Sequence, residues 1–211
     1  MKSIKILILF FSISIITGCA AGNKYDYNQA DISLPVKGSG DISLGVIDNR
    51  DYVHSGKKPA KFVGLQRGGF GNPFDVTTRS GDSLTEDMSA ALTRSLEKSG
   101  FNVNELYFSA SDTSLITSVI KNNGQHKNIV LTVNEWKTDV MMSIAVIYDL
   151  LLQIKDKDGN ELASASSSSD GKETISGAGF EGQNSRVATS TFETKISRLF
   201  NNPEIIEALE K

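Results

Sequence analysis

Several residue types are scarce in this chain, and each scarcity removes a class of protein. A single cysteine in 211 residues allows no disulfide within the chain, so the fold must hold by packing. The two histidines, His54 and His126, lie in separate loop segments with no acid or second histidine at ligand spacing. That excludes a sequence-local zinc site, which needs about three or four such ligands. Positive charge is not in excess: 22 Lys and Arg stand against 25 Asp and Glu, which leaves no electrostatic footprint for nucleic acid. Long apolar runs are missing too. The longest, Ile6 to Ile16, covers 11 residues, against the roughly 20 of a membrane-spanning helix.

That short run carries the clearest signal in the sequence. Lys2 and Lys5 precede it, Ser12 and Ser14 are its only polar side chains, and Ile16-Thr17-Gly18-Cys19 follows it. A positive end, an apolar core and a small-residue cleavage site make a secretory signal. With cysteine directly behind Gly18, the segment also resembles the lipobox of bacterial lipoproteins, in which the thiol is acylated and the signal is cut before it. The resemblance implies a signal peptide at residues 1–18 and Cys19 as the lipidated mature N-terminus, with palmitate-type chains on sulfur and amine. One acyl chain binds a membrane only reversibly, so several imply a lasting anchor. Lipoproteins of enteric-type bacteria use an aspartate after this cysteine for inner-membrane retention. Ala20 stands there instead, which implies the periplasmic face of a Gram-negative outer membrane.

Without residues 1–18 the chain keeps 193 residues and loses Lys2 and Lys5, so 20 basic groups face 25 acidic ones, a charge of −5. That length suits one domain. Residues 19–40 are small, polar and glycine-rich with Pro35, and read as a lipidated start and flexible tether, with Ile32 and Leu34 able to dock on the domain. The folded domain is expected at 41–211.

Within it, Ile42, Leu44 and Val46 alternate as a strand that ends at Asp48-Asn49-Arg50, and a glycine-rich stretch offers a short extended pair at Lys61–Leu65 and Phe74–Thr78. Ser83 and Glu86 form a capping box before the stripe Leu84, Met88, Ala91, Leu92 and Leu96, which predicts a helix over 83–99 closed by Gly100. Strands are expected at 101–108, 129–136 and 144–155, with a helix at 112–122. Asp158-Gly159 is a hairpin turn leading to a partner strand, Glu161 to Ser169. A long helix over about 183–200 and a short one opened by Asn202-Pro203 close the chain. The order implies an α+β fold, a mixed or antiparallel sheet with helices packed on one face in a two-layer sandwich.

Catalytic and cofactor motifs fare poorly. Gly177-Ala178-Gly179-Phe180-Glu181-Gly182 matches G-x-G-x-x-G, but its preceding strand belongs to a hairpin and no acid-bearing parallel strand follows. Asp156 to Glu161 lacks the spacing of a calcium loop. No G-x-S-x-G elbow is present, and Ser164 and Ser166 to Ser169 read as a solvated strand face. Acid pairs such as Asp48/Asp51 are expected by chance among 25 carboxylates. Phe70 and Phe74, on the loop GGFGNP, are either a recognition tip or a satellite core; Trp136 is either a core edge or a partner contact. The residues therefore predict no enzyme, no cofactor and no metal.

The order of lipobox, Asp48-Asn49-Arg50, glycine-rich insertion, capped helix to Gly100-Phe101, Asn134-Glu135-Trp136, Tyr148–Lys155, Asp-Gly turn and Asn202-Pro203-Glu204 resembles the YajG family of bacterial lipoproteins over roughly 41–210. More distantly it resembles auxiliary lipoproteins of envelope ABC transporters. The resemblance implies an α+β periplasmic domain and brings no catalytic residues. The expectation is a membrane-anchored, non-catalytic accessory or scaffolding subunit with a protein partner in the envelope. Its rival, a carrier of lipid or small molecules for a transporter, requires an apolar pocket between sheet and helices.

Overall fold

The computed structural model describes residues 22–108 and 112–210. Gly18, Cys19 and Ala20, on which the signal and lipidation reading rests, lie outside the described residues. The domain is α+β, 31% helix and 37% strand, built on one curled mixed sheet.

Its frame is a long hairpin of β6 (Asn128–Val140) and β7 (Ser143–Lys155), paired antiparallel from Asn128↔Lys155 to Val140↔Ile144. Both outer edges of the hairpin are shared between two shorter strands. On the β6 side, β2 (Gly40–Asp48) pairs parallel along Asn128 to Val133, and β3 (Phe62–Arg67) pairs parallel along Thr138 to Val140. On the β7 side, β8 (Glu161–Ser168) covers Asp149 to Lys155, and β9 (Glu173–Gly177) covers Ser143 to Val146. β5 (Phe101–Leu106) flanks β2, β4 (Pro73–Thr78) flanks β3, and β1 (Lys24–Tyr25) flanks β4.

Where β2 and β3 part, their ends lose ladder partners and the segment with α1 (Asp51–His54) fills the fork. Arg50 stands there with no exposure to solvent. Its Nε and Nη2 donate to the two Asp48 carboxylate oxygens at 2.8 and 2.6 Å. Nη1 donates to the Phe62 carbonyl at 2.6 Å and Nη2 to that of Ala60 at 2.8 Å. One planar guanidinium thus ties the end of β2 to the start of β3. Removing one partner of such a buried pair costs about 3–5 kcal/mol.

On one face of the sheet, Ile42, Leu44, Ile129, Leu131, Val133, Val146, Leu150, Leu152 and Ile154 are buried under three helices. These are α2 (Leu84–Lys98), α4 (Glu181–Phe200) and α5 (Pro203–Glu210). The Ser83–Glu86 capping box closes as predicted, with Ser83 Oγ accepting from the Glu86 amide at 3.2 Å and Glu86 Oε2 accepting from the Ser83 amide at 2.8 Å. Asn202 Oδ1 caps α5 through the Glu204 amide at 2.8 Å. The remaining helix, α3 (Thr113–Asn123), packs on the opposite face, where Ile116 and Ile120 meet Ile47, Leu106 and Val130.

One expectation needs correction. Residues 24–36 are part of the domain and cannot serve as a flexible tether. Tyr25, Tyr27, Ala30, Ile32, Leu34 and Val36 are buried in the main core, while Asp31, Ser33, Pro35 and Lys37 face outward. The segment is an extended strap laid along α4. Its backbone is satisfied by one polar stripe of that helix, spaced four residues apart. Ser185 Oγ accepts from the Asp26 amide and Thr189 donates to the Asp26 carbonyl, at 3.1 and 3.0 Å. Glu193 accepts from the Asp31 amide and Ser197 donates to the Ser33 carbonyl, both at 2.8 Å. On the other side α2 contributes Arg94 to the Asn28 carbonyl and Lys98 to Asp31. Helix residues four apart share a face, so the stripe works as a rail for an extended chain.

If the strap is part of the core, Ile32→Ala should lower the unfolding free energy of the chain by about 2–4 kcal/mol, as other buried Ile truncations do. Urea titration of the full chain measures it, and an unchanged midpoint would mean the strap is a tether after all.

Candidate functional site

The polar groups singled out by sequence do not converge. His54 and His126 are exposed, one beyond the end of β2 and the other beyond its start. Among the described residues, no group of three or more His, Cys, Asp or Glu could hold a metal ion. The glycine-rich Gly177–Gly182 segment leaves a strand antiparallel to β7, and its third residue is clamped by buried Asn184, which bonds both the amide and the carbonyl of Gly179 at 2.8 and 3.0 Å. In the Asp156–Glu161 turn, Asp156 Oδ1 accepts from the amides of Asp158 and Asn160 at 2.8 and 2.9 Å. Those bonds, with Gly159 at φ 82°, make it a hairpin turn. On β8, Ala163 and Ala165 point inward and Ser164, Ser166 and Ser168 outward, which puts the serines on the solvated side.

Trp136 lies in mid-strand, because β6 runs on to Val140, and it is fully buried. Its ring meets Tyr27 and Phe192 edge to face at 5.9 and 5.6 Å, with Tyr148 at 6.2 Å. The space around Trp136, between β6, β7 and α4, is therefore filled with aromatic side chains. Burial pushes the Tyr25 hydroxyl up to about 12 and Tyr27 further still. The neighbouring Trp136 N–H acts on Tyr27 in the opposite direction to burial, without making a hydrogen bond.

A surface groove remains between β9 and α4. It encloses about 520 Å³ and is lined by Ile175, Val187, Thr191 and Thr194, with Arg186 and Lys195 at its polar edge. Lys195 is held by Glu173 at 2.8 Å and lies over the Tyr148 ring.

The most distinctive surface is one end of the sheet, where three loops come together. Gln66↔Val140 brings the β3–β4 turn beside the β6–β7 turn, and Ser143↔Gly177 brings the β9–α4 loop to the other side. Each loop projects a large apolar side chain: Phe70 is fully exposed, Met142 85% and Phe180 88%, with Met141 at 50%. Backbone bonds hold the projections, Gly71 N to the Gly68 carbonyl at 2.8 Å and Ala178 N to that of Met142 at 3.1 Å. Behind the tips Asp139 ties the loops together. Arg67 Nε and Nη2 grip its two oxygens at 2.6 and 2.7 Å, and Lys172 reaches it from the segment before β9. Of these tips the sequence by itself points only to Phe70. The missed signal is the charge-free pair Met141-Met142 at a turn between two long strands.

No protein-family model matches this chain, and no curated protein matches it by sequence. Similarity appears in the fold. The crystal structure of a Xanthomonas campestris protein assigned to the DUF330 family superposes with a TM-score of 0.53 at 10% identity, covering 84% of this chain and 95% of that one. The two share a fold. Weaker superpositions are with a neuraminyllactose-binding hemagglutinin homologue from Helicobacter pylori, TM-score 0.43 at 12% identity over 83% of this chain and 92% of that one. Another is lipoprotein GNA1162 from Neisseria meningitidis, TM-score 0.36 at 13% identity over 76% and 99%.

The Asp139 tie has a pH signature. Arg67, together with Lys172, holds the Asp139 carboxyl down at about 2 against the opposing effect of burial. A lowered carboxylate stabilises the fold above its unfolded pKa near about 3.9, and that stability drains away as pH falls toward 2. Asp139→Asn should therefore cost about 1–2 kcal/mol at pH 6, the value being discounted for the exposed Lys172 end. The gap to the parent chain should shrink between pH 4 and pH 2. Urea midpoints across that range measure it, and a gap that stays constant with pH would contradict the assignment.

Proposed function

We propose that this protein is a lipid-anchored lipoprotein of the bacterial envelope, held through Cys19 and serving as a non-catalytic accessory or scaffolding component of an envelope complex. The observation that carries the reading is the sequence Ile16-Thr17-Gly18-Cys19 behind an 11-residue apolar run, three residues ahead of Gly22, where the domain is already in place. The polar groups of the domain are spent on structure, at Arg50–Asp48, Asp139–Arg67 and Asn184, and this supports a binding rather than a catalytic role. Ala20 after the cysteine favours the outer membrane, and the charge of −5 disfavours nucleic acid as partner. The resemblance to the YajG family agrees with this placement.

A second reading, an auxiliary lipoprotein of an ABC-type transport system that binds a lipid or small molecule, is favoured by the groove between β9 and α4 with apolar Ile175 and Val187 in its lining and Arg186 beside them. If it holds, phospholipid should be retained by the purified chain and lost on Val187→Arg, as mass spectrometry of extracts would show. An extract free of lipid in the parent chain ends that reading.

For the leading reading, Cys19→Ala should abolish labelling by radioactive palmitate and leave an uncleaved or soluble chain. Unaltered labelling and membrane fractionation of that variant would sink it.

A further inference from the structure

The segment expected to be a tether of some twenty residues is mostly strap, and this fixes which way the domain faces. The strap enters through β1, whose Lys24 and Tyr25 lie beside Thr77 and Thr78 of β4. β1 runs parallel to β4, so going back from Lys24 toward Cys19 is going toward Pro73 and the β3–β4 turn. Asn23 Nδ2 already bonds Gln66 Oε1 at 3.2 Å, one residue short of Arg67, and Gly22 passes so close to the Asp75 carbonyl that a Cβ there would collide with it. The Lys24 amide donates to Glu181 Oε1 at 3.1 Å, and Glu181 is the residue after Phe180. The chain therefore leaves the domain toward the end from which Phe70, Met142 and Phe180 project.

From Gly22 only three residues lead back to Cys19. Fully extended they span about 10 Å. A lipid on Cys19 must then bring the bilayer surface to within about that distance of Gly22, which lies against Asp75, two residues from the β3–β4 turn at Pro73. The composition of the three tips suits such a surface. Residues 68–73 (GGFGNP), 141–143 (MMS) and 176–180 (SGAGF) contain no charged side chain. The charges behind them are paired, Asp139 with Arg67 and Lys172, and Glu181 with Arg79 at 3.2 Å. The tips stand on three separate loops, and the apolar face of an interfacial segment sinks about 5–10 Å into the boundary between headgroups and acyl chains.

Resting on the reading of Cys19 as the lipidated residue, we propose that Phe70, Met141, Met142 and Phe180 form a membrane-docking face, which seats the domain upright on the phospholipid leaflet that holds its anchor. The opposite end, with the β7–β8 turn at Asp158, then points away from the membrane toward any partner.

Because the parent chain has one cysteine, Phe70→Cys, Met142→Cys, Phe180→Cys and, as control, Asp158→Cys each supply a single free thiol once Cys19 is acylated. The full-length chains, made in bacteria and labelled with radioactive palmitate, are purified, tagged with an environment-sensitive fluorophore and placed in phosphatidylethanolamine–phosphatidylglycerol vesicles carrying spin-labelled lipid. The expected result is blue-shifted, lipid-quenched emission at positions 70, 142 and 180 and water-like emission at 158. Palmitate labelling with emission at 70 no different from 158 overturns the docking face and leaves the anchor reading intact. A blue shift at 70 without lipid quenching means that a second copy of the chain covers the tips, and also overturns it. Absent palmitate labelling defeats the anchor reading. The Cys19→Ala form of each variant, added to the same vesicles, then decides the face alone: quenching at 70 sustains it, and its loss ends it.

Discussion

A charged group with no access to water stands at the point where the sheet divides. The two 13-residue strands of the β6–β7 hairpin are longer than any strand beside them, so each edge serves two partners, and the junction between them leaves backbone groups without a ladder. Arg50 resolves the junction on the β6 side through Asp48, Phe62 and Ala60. The guanidinium holds in register the two halves of the molecule. One half, built on β2, β5 and β8, carries most of the apolar core beneath α2 and α5. The other, built on β3, β4, β9 and β1, carries the loop end. The aromatic group of Tyr27, Trp136, Phe192 and Tyr148 fills the space above this seam. These rings pack the part of the core that lies between β6, β7 and α4.

Much of this was legible in the residues because local and tertiary demands agree. Ser83 and Glu86 announce α2, the alternation from Ile144 to Ile154 announces β7, and Asp158-Gly159 announces the turn after it. Legibility failed where a residue's partner is remote. Ala30, Ile32, Leu34 and Val36 do alternate, but an extended segment whose backbone is satisfied by helix side chains shows none of the bounding signals of a paired strand, and Pro35 argues against one. The sequence pattern ends this strand at Trp136, before the polar Lys137, Thr138 and Asp139. The strand continues because Arg67 and Lys172, distant in sequence, neutralise Asp139. β9 has one apolar residue, Ile175, to mark it.

The candidate surface was half legible for a similar reason. Phe70 on a glycine-rich turn invites attention by itself. Met142 and Phe180 acquire meaning only when strand pairing places their loops beside it. The fold shared with the DUF330 protein from Xanthomonas campestris concerns the scaffold, whereas the tips and the exit of the N-terminal segment are features of this chain's own residues.

The strap has a consequence for the order in which the molecule is completed. Its contacts with α4 join residues 159 to 164 positions apart in the chain, so the strap is made long before the rail on which it lies. Contacts of such long range form late and slowly. A chain made from its N-terminus keeps the strap unplaced until α4 has been made. Closing the strap then depends on an intact α4, and a chain truncated before that helix lacks the rail on which the strap lies.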